Sequence, residues 1–210
     1  EVADAIRACL GLWTEAIAAE PSAAPGATVK VATMILNRSS FPATLAGVSV
    51  THAAALPGGA LAPNAPVRAT AEVALPTDAP LTQPYWLRAP ALKGRYAVSD
   101  PALVARFSVS VAGATVPFEA PVVFRRTDPV RGEVYRPFDV VPPVTANLDE
   151  KVYAFGSSAA KPVRVTLVAG APNVSGALRL KAPSGFRVEP GEIPFTLAAK
   201  GEEKAFTFQV

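Results

Sequence analysis

Few residues of this chain are of a type to do chemistry, and they are scattered. Histidine occurs once, His52, in SVTHAAAL, with no Asp-Asp pair beside it. Zinc hydrolysis needs about three protein ligands and an open position for water. A single histidine at the end of a strand therefore points to a structural or merely exposed role. Serines are plentiful, yet no G-x-S-x-G elbow occurs, and one histidine cannot be assumed to reach any of them. Cys9 is the only cysteine, which excludes an intrachain disulfide and a thiolate metal cluster. It falls on an apolar stripe, where a buried, inert thiol is expected. No catalytic, cofactor or metal site is expected in these residues.

Two groups could bind rather than react. Tyr85 and Trp86 follow Pro84 in QPYWL, and their rings could stack on the apolar face of a sugar. The alternative, favoured because large aromatics mostly anchor cores, is that Trp86 plugs the end of a sandwich core while Tyr85 caps it. Trp13 is expected to be packing in the same way. The second group lies in RRTDPVRGEVYRPFDVVPP, residues 125–143, where Asp128, Arg131, Glu133 and Arg136 crowd together. They could form a pocket for a charged ligand. They could also pair as Arg–carboxylate forks that brace two domains, the preferred reading, since contacts between domains of one chain are typically polar. Gly132 would permit a tight turn there.

The elements that must carry these groups are extended. The 210 residues are 50% apolar and 18% charged, which suits a packed globular chain. The 22 prolines argue against a mainly helical fold. A net charge of +3 is spread without a Lys/Arg run, so nucleic acid is not an expected partner. No apolar run approaches the ~20 residues of a membrane span. There is no signal-peptide pattern. The start at Glu1 and the single methionine, Met34, suggest a piece of a longer protein.

Residues 1–20 show helical spacing of Val2, Ile6, Cys9/Leu10, Trp13 and Ile17, ended by Pro21. From Thr28 the period becomes two. Strands are expected over TVKVATMILNRS, Thr44–Thr51, Val67–Leu75, Val104–Val111 and Thr115–Arg126, joined by turn-rich stretches such as LPGGALAPNAP. Alternation resumes at Val163–Leu167, Leu178–Leu180, Phe186–Val188, Ile193–Leu197 and Phe206–Val210. The expected fold is all-β: two tandem immunoglobulin-like β-sandwich domains preceded by one N-terminal α-helix. The helix covers residues 1–20, the first sandwich 21–127, a linker 128–137 and the second sandwich 138–210.

QPYWL (Gln83–Leu87), GRYAVSDP (Gly94–Pro101), DPVRGEVYRP (Asp128–Pro137) and VVPPV (Val140–Val144) together resemble one family. They look like the region downstream of the catalytic domain in large bacterial PIG-L (LmbE-like) deacetylases, and AIRACLGLWTEA is similar to the helix that introduces it. SGALRLKAPSGFRVEP with the close GEEKAFTFQV resembles a NEW3-type sandwich, with Phe186 where that family usually has tryptophan. The resemblance implies an exported, non-catalytic accessory region without a cofactor of its own. Its partner would be the upstream catalytic domain of the same chain, a zinc-dependent N-deacetylase with a His-x-Asp-Asp motif, and glycan is a further candidate partner. The other readings are a carbohydrate-binding or adhesion module with Tyr85 and Trp86 at its contact surface, and a cell-surface spacer.

Overall fold

A computed structural model describes residues 2–88, 90 and 98–210. The protein is mostly β, with several sheets and one N-terminal helix. It divides into two compact units, Glu1–Val141 and Pro142–Val210.

The first unit opens with α1 (Val2–Leu10), followed by β1 (Trp13–Ala18), β2 (Ser22–Ala23), β3 (Thr28–Leu36), β4 (Ala43–Val50), β5 (Leu56–Ala60) and β6 (Val67–Ala74). A single helical turn, α2 (Tyr85–Arg88), precedes β7 (Val104–Val111), β8 (Ala114–Pro121), β9 (Val123–Asp128), β10 (Gly132–Pro137) and β11 (Asp139–Val140). A five-stranded sheet runs β10-β9-β1-β3-β6 and a four-stranded sheet β5-β4-β7-β8. Inward side chains of both meet in one core: Val31 and Ile35 of β3, Val73 of β6, Leu45 of β4, Phe107 and Val109 of β7, and Phe118 of β8. Alternation explains the sorting, because Arg106 and Ser108 lie on the face opposite Phe107 and Val109. β1 pairs antiparallel with β3 and parallel with β9, Ile17 standing opposite Val123.

The structure corrects the reading of the first twenty residues. Helix α1 stops at Leu10, because Gly11 takes φ +57 and closes it. The Leu12 N–H donates to Arg7 O at 3.0 Å and the Gly11 N–H to Ala8 O at 3.1 Å, the paired bonds of a Schellman cap. Trp13–Ala18 is then a strand. Trp13 and Ile17 mimic a helical stripe only because they lie four apart. Trp13 is consequently about half exposed, with the Arg38 guanidinium 5.5 Å from its ring centroid. Cys9 faces solvent rather than a core.

Two stretches expected to be irregular are paired strands. LPGGA forms β5 on β4, and the fit depends on Gly58: a Cβ there would stand 2.0 Å from Leu45 O, beside the register shift between Leu45 and Gly47. Residues 128–137, read as a linker, lie within the β9–β10 hairpin of the first unit. The strand expected over Thr115–Arg126 is two, β8 in one sheet and β9 in the other.

The second unit holds β12 (Val144–Leu148), β13 (Pro162–Ala169), β14 (Val174–Leu178), β15 (Ile193–Leu197) and β16 (Glu203–Gln209). These form a three-stranded sheet, β12-β13-β16, and a two-stranded one, β14-β15. Its fully buried core is small: Val165, Leu167, Ala169, Leu197 and Phe208, ringed by half-buried side chains such as Val188, Phe195 and Val210. Phe186 and Val188 lie outside the strands, joined to the sheet by one antiparallel bridge between Glu189 and Gln209.

Candidate functional site

The first unit carries a groove of about 880 Å³ beside α2. Its position follows from two ties. The Thr82 N–H donates to Val140 O at 2.9 Å while the Val140 N–H donates to Thr82 Oγ1 at 2.8 Å, which holds the segment before α2 against β11. The Tyr85 N–H donates to Ser99 Oγ at 3.1 Å, which fixes the start of α2 to the chain entering β7. Between these ties Pro84 O accepts from the Leu87 N–H at 3.0 Å and turns the chain.

The groove is apolar along most of its length. Phe138 and Val122 are buried beneath it, and Pro84, Pro121 and Pro137 line it. Trp86 stands on it 58% exposed, with Val98 nearby at 93%. Polar groups line it too: Gln83, Ser99, Asp100, Glu119 and Asp139. Two of these carboxylates are already paired, Glu119 with Arg106 at 2.6 Å and Asp139 with Arg136 at 3.4 Å. The expectation that Trp86 plugs a core is therefore overturned. It follows Pro84 on a turn outside the strands, whereas Leu103, Phe118 and Phe138 are buried in the core. Tyr85 is half-buried and meets Trp86 edge to face, ring centroids 5.2 Å apart. Residues 94–97 of the GRYAVSDP stretch lie outside the described residues; Ser99, Asp100 and Pro101 line the groove.

Asp128, Arg131, Glu133 and Arg136 come together on the β9–β10 hairpin. Asp128 Oδ1 accepts the N–H groups of Val130 and Arg131, each at 2.9 Å, and these two bonds lower its pKa below the ordinary 3.8. Gly132 completes the turn at φ +76. Glu133 accepts from the Tyr135 hydroxyl at 2.7 Å and pairs with Arg125 at 3.5 Å. Arg125 also lies 3.9 Å from Glu15 of β1. The Tyr135 hydrogen bond, ahead of the Glu133 and Glu15 charges, raises the Arg125 pKa above its ordinary value. These contacts stitch the hairpin to itself, to β1 and to β11. Each exposed pair contributes about 0–1 kcal/mol, so the network aligns the strands more than it stabilises them.

His52 sits exposed in a turn at φ 60, its backbone carbonyl accepting from the Ala74 N–H at 3.3 Å. Among the described residues, no three His, Cys, Asp or Glu side chains are grouped to hold a metal ion. No helix among them is long and apolar enough to cross a membrane.

A second surface was not singled out from the sequence as a site. In the second unit Phe155 and Phe186 meet edge to face, ring centroids 5.0 Å apart, and border a cleft of about 520 Å³. The two rings are 31 positions apart, and only the placement of Phe186 in a Pro-Ser-Gly turn hinted at an exposed aromatic. No protein-family model matches the chain, and no curated protein sequence matches it.

Proposed function

We propose that this chain is a non-catalytic accessory region of an exported PIG-L-type N-acetyl-sugar deacetylase, and that it packs on and supports the catalytic domain. One observation carries the reading: Trp86 and Val98 stand exposed along an apolar groove, and Leu87, next to Trp86 in the chain, is exposed too. Large apolar surface of this kind, rimmed by polar groups, marks an interaction site. The segments that resemble the family frame the same place. Gln83, Pro84 and Trp86 of QPYWL line the groove, as do Asp100 and Pro101, and DPVRGEVYRP forms the hairpin ending at its Pro137. In this reading the two units are immunoglobulin-like sandwiches, the second of NEW3 type. The zinc ligands and the hydrolytic chemistry belong to the catalytic domain.

The test begins with the native gene product. A His-x-Asp-Asp motif upstream of these residues is the expected result. The corresponding catalytic domain, supplied separately, should bind residues 1–210, and Trp86→Ala should weaken that binding by about tenfold or more, the loss of a buried aromatic anchor. Absence of the motif, or of any association, rejects the reading. The polar groups beside Tyr85 and Trp86 support a second reading, a carbohydrate-binding module. Glycan-array binding abolished by Trp86→Ala in a folded variant would put that reading first.

A further inference from the structure

We infer that the second unit carries a sugar-binding cleft built on Phe155 and Phe186, and that its ligand is the pyranose ring of an uncharged glycan. The inference does not depend on the docking role of the Trp86 groove.

Three features converge. The first is an aromatic platform: Phe186 is 46% exposed on its turn, propped edge to face by Phe155. Phe155 has a contact of its own, because Lys161 donates its Nζ hydrogen to Ala154 O and lies 5.8 Å from the Phe155 ring centroid. A ring pair fixed in this way offers apolar surface at little entropic cost, which suits the C–H face of a pyranose.

The second is a set of planar polar groups beside that platform. Glu189 and Gln209 exchange both backbone hydrogen bonds, at 2.9 and 2.6 Å. Residues paired so in an antiparallel bridge project their side chains from the same face. A carboxylate and a carboxamide are thus aligned, and both line the cleft with Arg187. Arg187 Nε lies 3.7 Å from Glu189 Oε1, so these charges largely answer each other. What they leave is N–H and C=O valence in flat pairs, the geometry that neighbouring hydroxyls accept, rather than a net charge for an ionic ligand.

The third is room. The cleft's 520 Å³ falls within the span of about 300–1,000 Å³ usual for small-molecule sites. An adjoining apolar recess of about 270 Å³, reaching Tyr153 and Leu180, shares Phe155, Phe186 and Val210 with it. The two rings therefore stand between two openings, an arrangement for an extended oligosaccharide rather than a single sugar.

The experiment is an amide NMR titration of residues 1–210 with cellohexaose, chitohexaose and mannohexaose. At least one should shift the signals of residues 155–160, 185–189 and 209–210 while leaving those around Trp86 in place. Phe186→Ala should weaken that binding about tenfold. Glu189→Gln, at an exposed position, should keep the fold and still weaken binding severalfold, so the test does not hang on how Phe186→Ala folds. Three results each overturn the inference: no shift with any of the three probes, shifts confined to the Trp86 groove, or affinity unchanged in Glu189→Gln.

Discussion

The Trp86 groove and the Phe155–Phe186 cleft both present an exposed aromatic ring, yet their surroundings differ in kind. Trp86 sits over prolines and buried Val122 and Phe138, in a groove lined mainly by apolar side chains. Phe186 sits beside a carboxylate and an amide that the Glu189–Gln209 bridge aligns. An exposed ring is therefore not one signal. Apolar neighbours suit a protein surface that excludes water, whereas planar polar neighbours suit a ligand that keeps its hydroxyls.

The largest expected effect separates the two surfaces outright. Phe208→Ala removes the largest side chain from the five-residue core of the second unit, a loss of about 3–5 kcal/mol for a buried phenylalanine. Denaturant unfolding should show the second unit lost while the Trp86 surface keeps its partner. Binding of a glycan by that variant would break the assignment of the cleft. Gly58→Ala tests the first unit alone. Its Cβ would meet Leu45 O and Ala46 backbone, all within 2.8 Å, so the β4–β5 pairing should fail, visible as faster amide exchange across both strands.

Smaller effects sharpen the contrast. Trp86→Ala and Phe186→Ala should each shift stability by under about 1 kcal/mol, because both side chains are about half exposed, while each weakens by about tenfold only the binding proposed for its own surface. A larger loss for Trp86→Ala would mean that it anchors the fold. The smallest effect is a pH effect that both units share. Asp128 caps Val130 and Arg131, and Glu202 accepts from the N–H groups of Ala199 and Ala198, so both carboxyls titrate below their ordinary 3.8 and 4.5. A lowered native pKa contributes stability that is present above the unfolded value and lost as pH falls through the native one. Carboxyl NMR titration should place both midpoints below ordinary. Asp128→Asn and Glu202→Gln should flatten the acid limb only slightly, since both groups are exposed.

Much of this fold was legible where one face is wet and the other dry. Val29, Val31 and Ile35, or Val163, Val165 and Leu167, declare strands by period two. It was illegible where that contrast fails. The β9–β10 hairpin carries charge on exposed positions of both strands, so residues 128–137 read as a linker. Trp13 and Ile17 imitated a helix, although Gly11 was the available sign of its end. The cleft was illegible for another reason. Phe155 and Phe186 meet through their rings, Glu189 and Gln209 through an isolated bridge, and no local spacing encodes either.

The parallel pairing of β1 with β9 has a consequence for how the chain is made. Ile17 waits for Val123, and until that residue has left the ribosome one whole side of an early strand lies open to any passing backbone. Shortened versions that end before residue 123 should accumulate as insoluble material. Versions that end at 127 would remove the outer hairpin strand and leave β9 as a raw margin. Expression trials therefore have a natural stopping place only after residue 141.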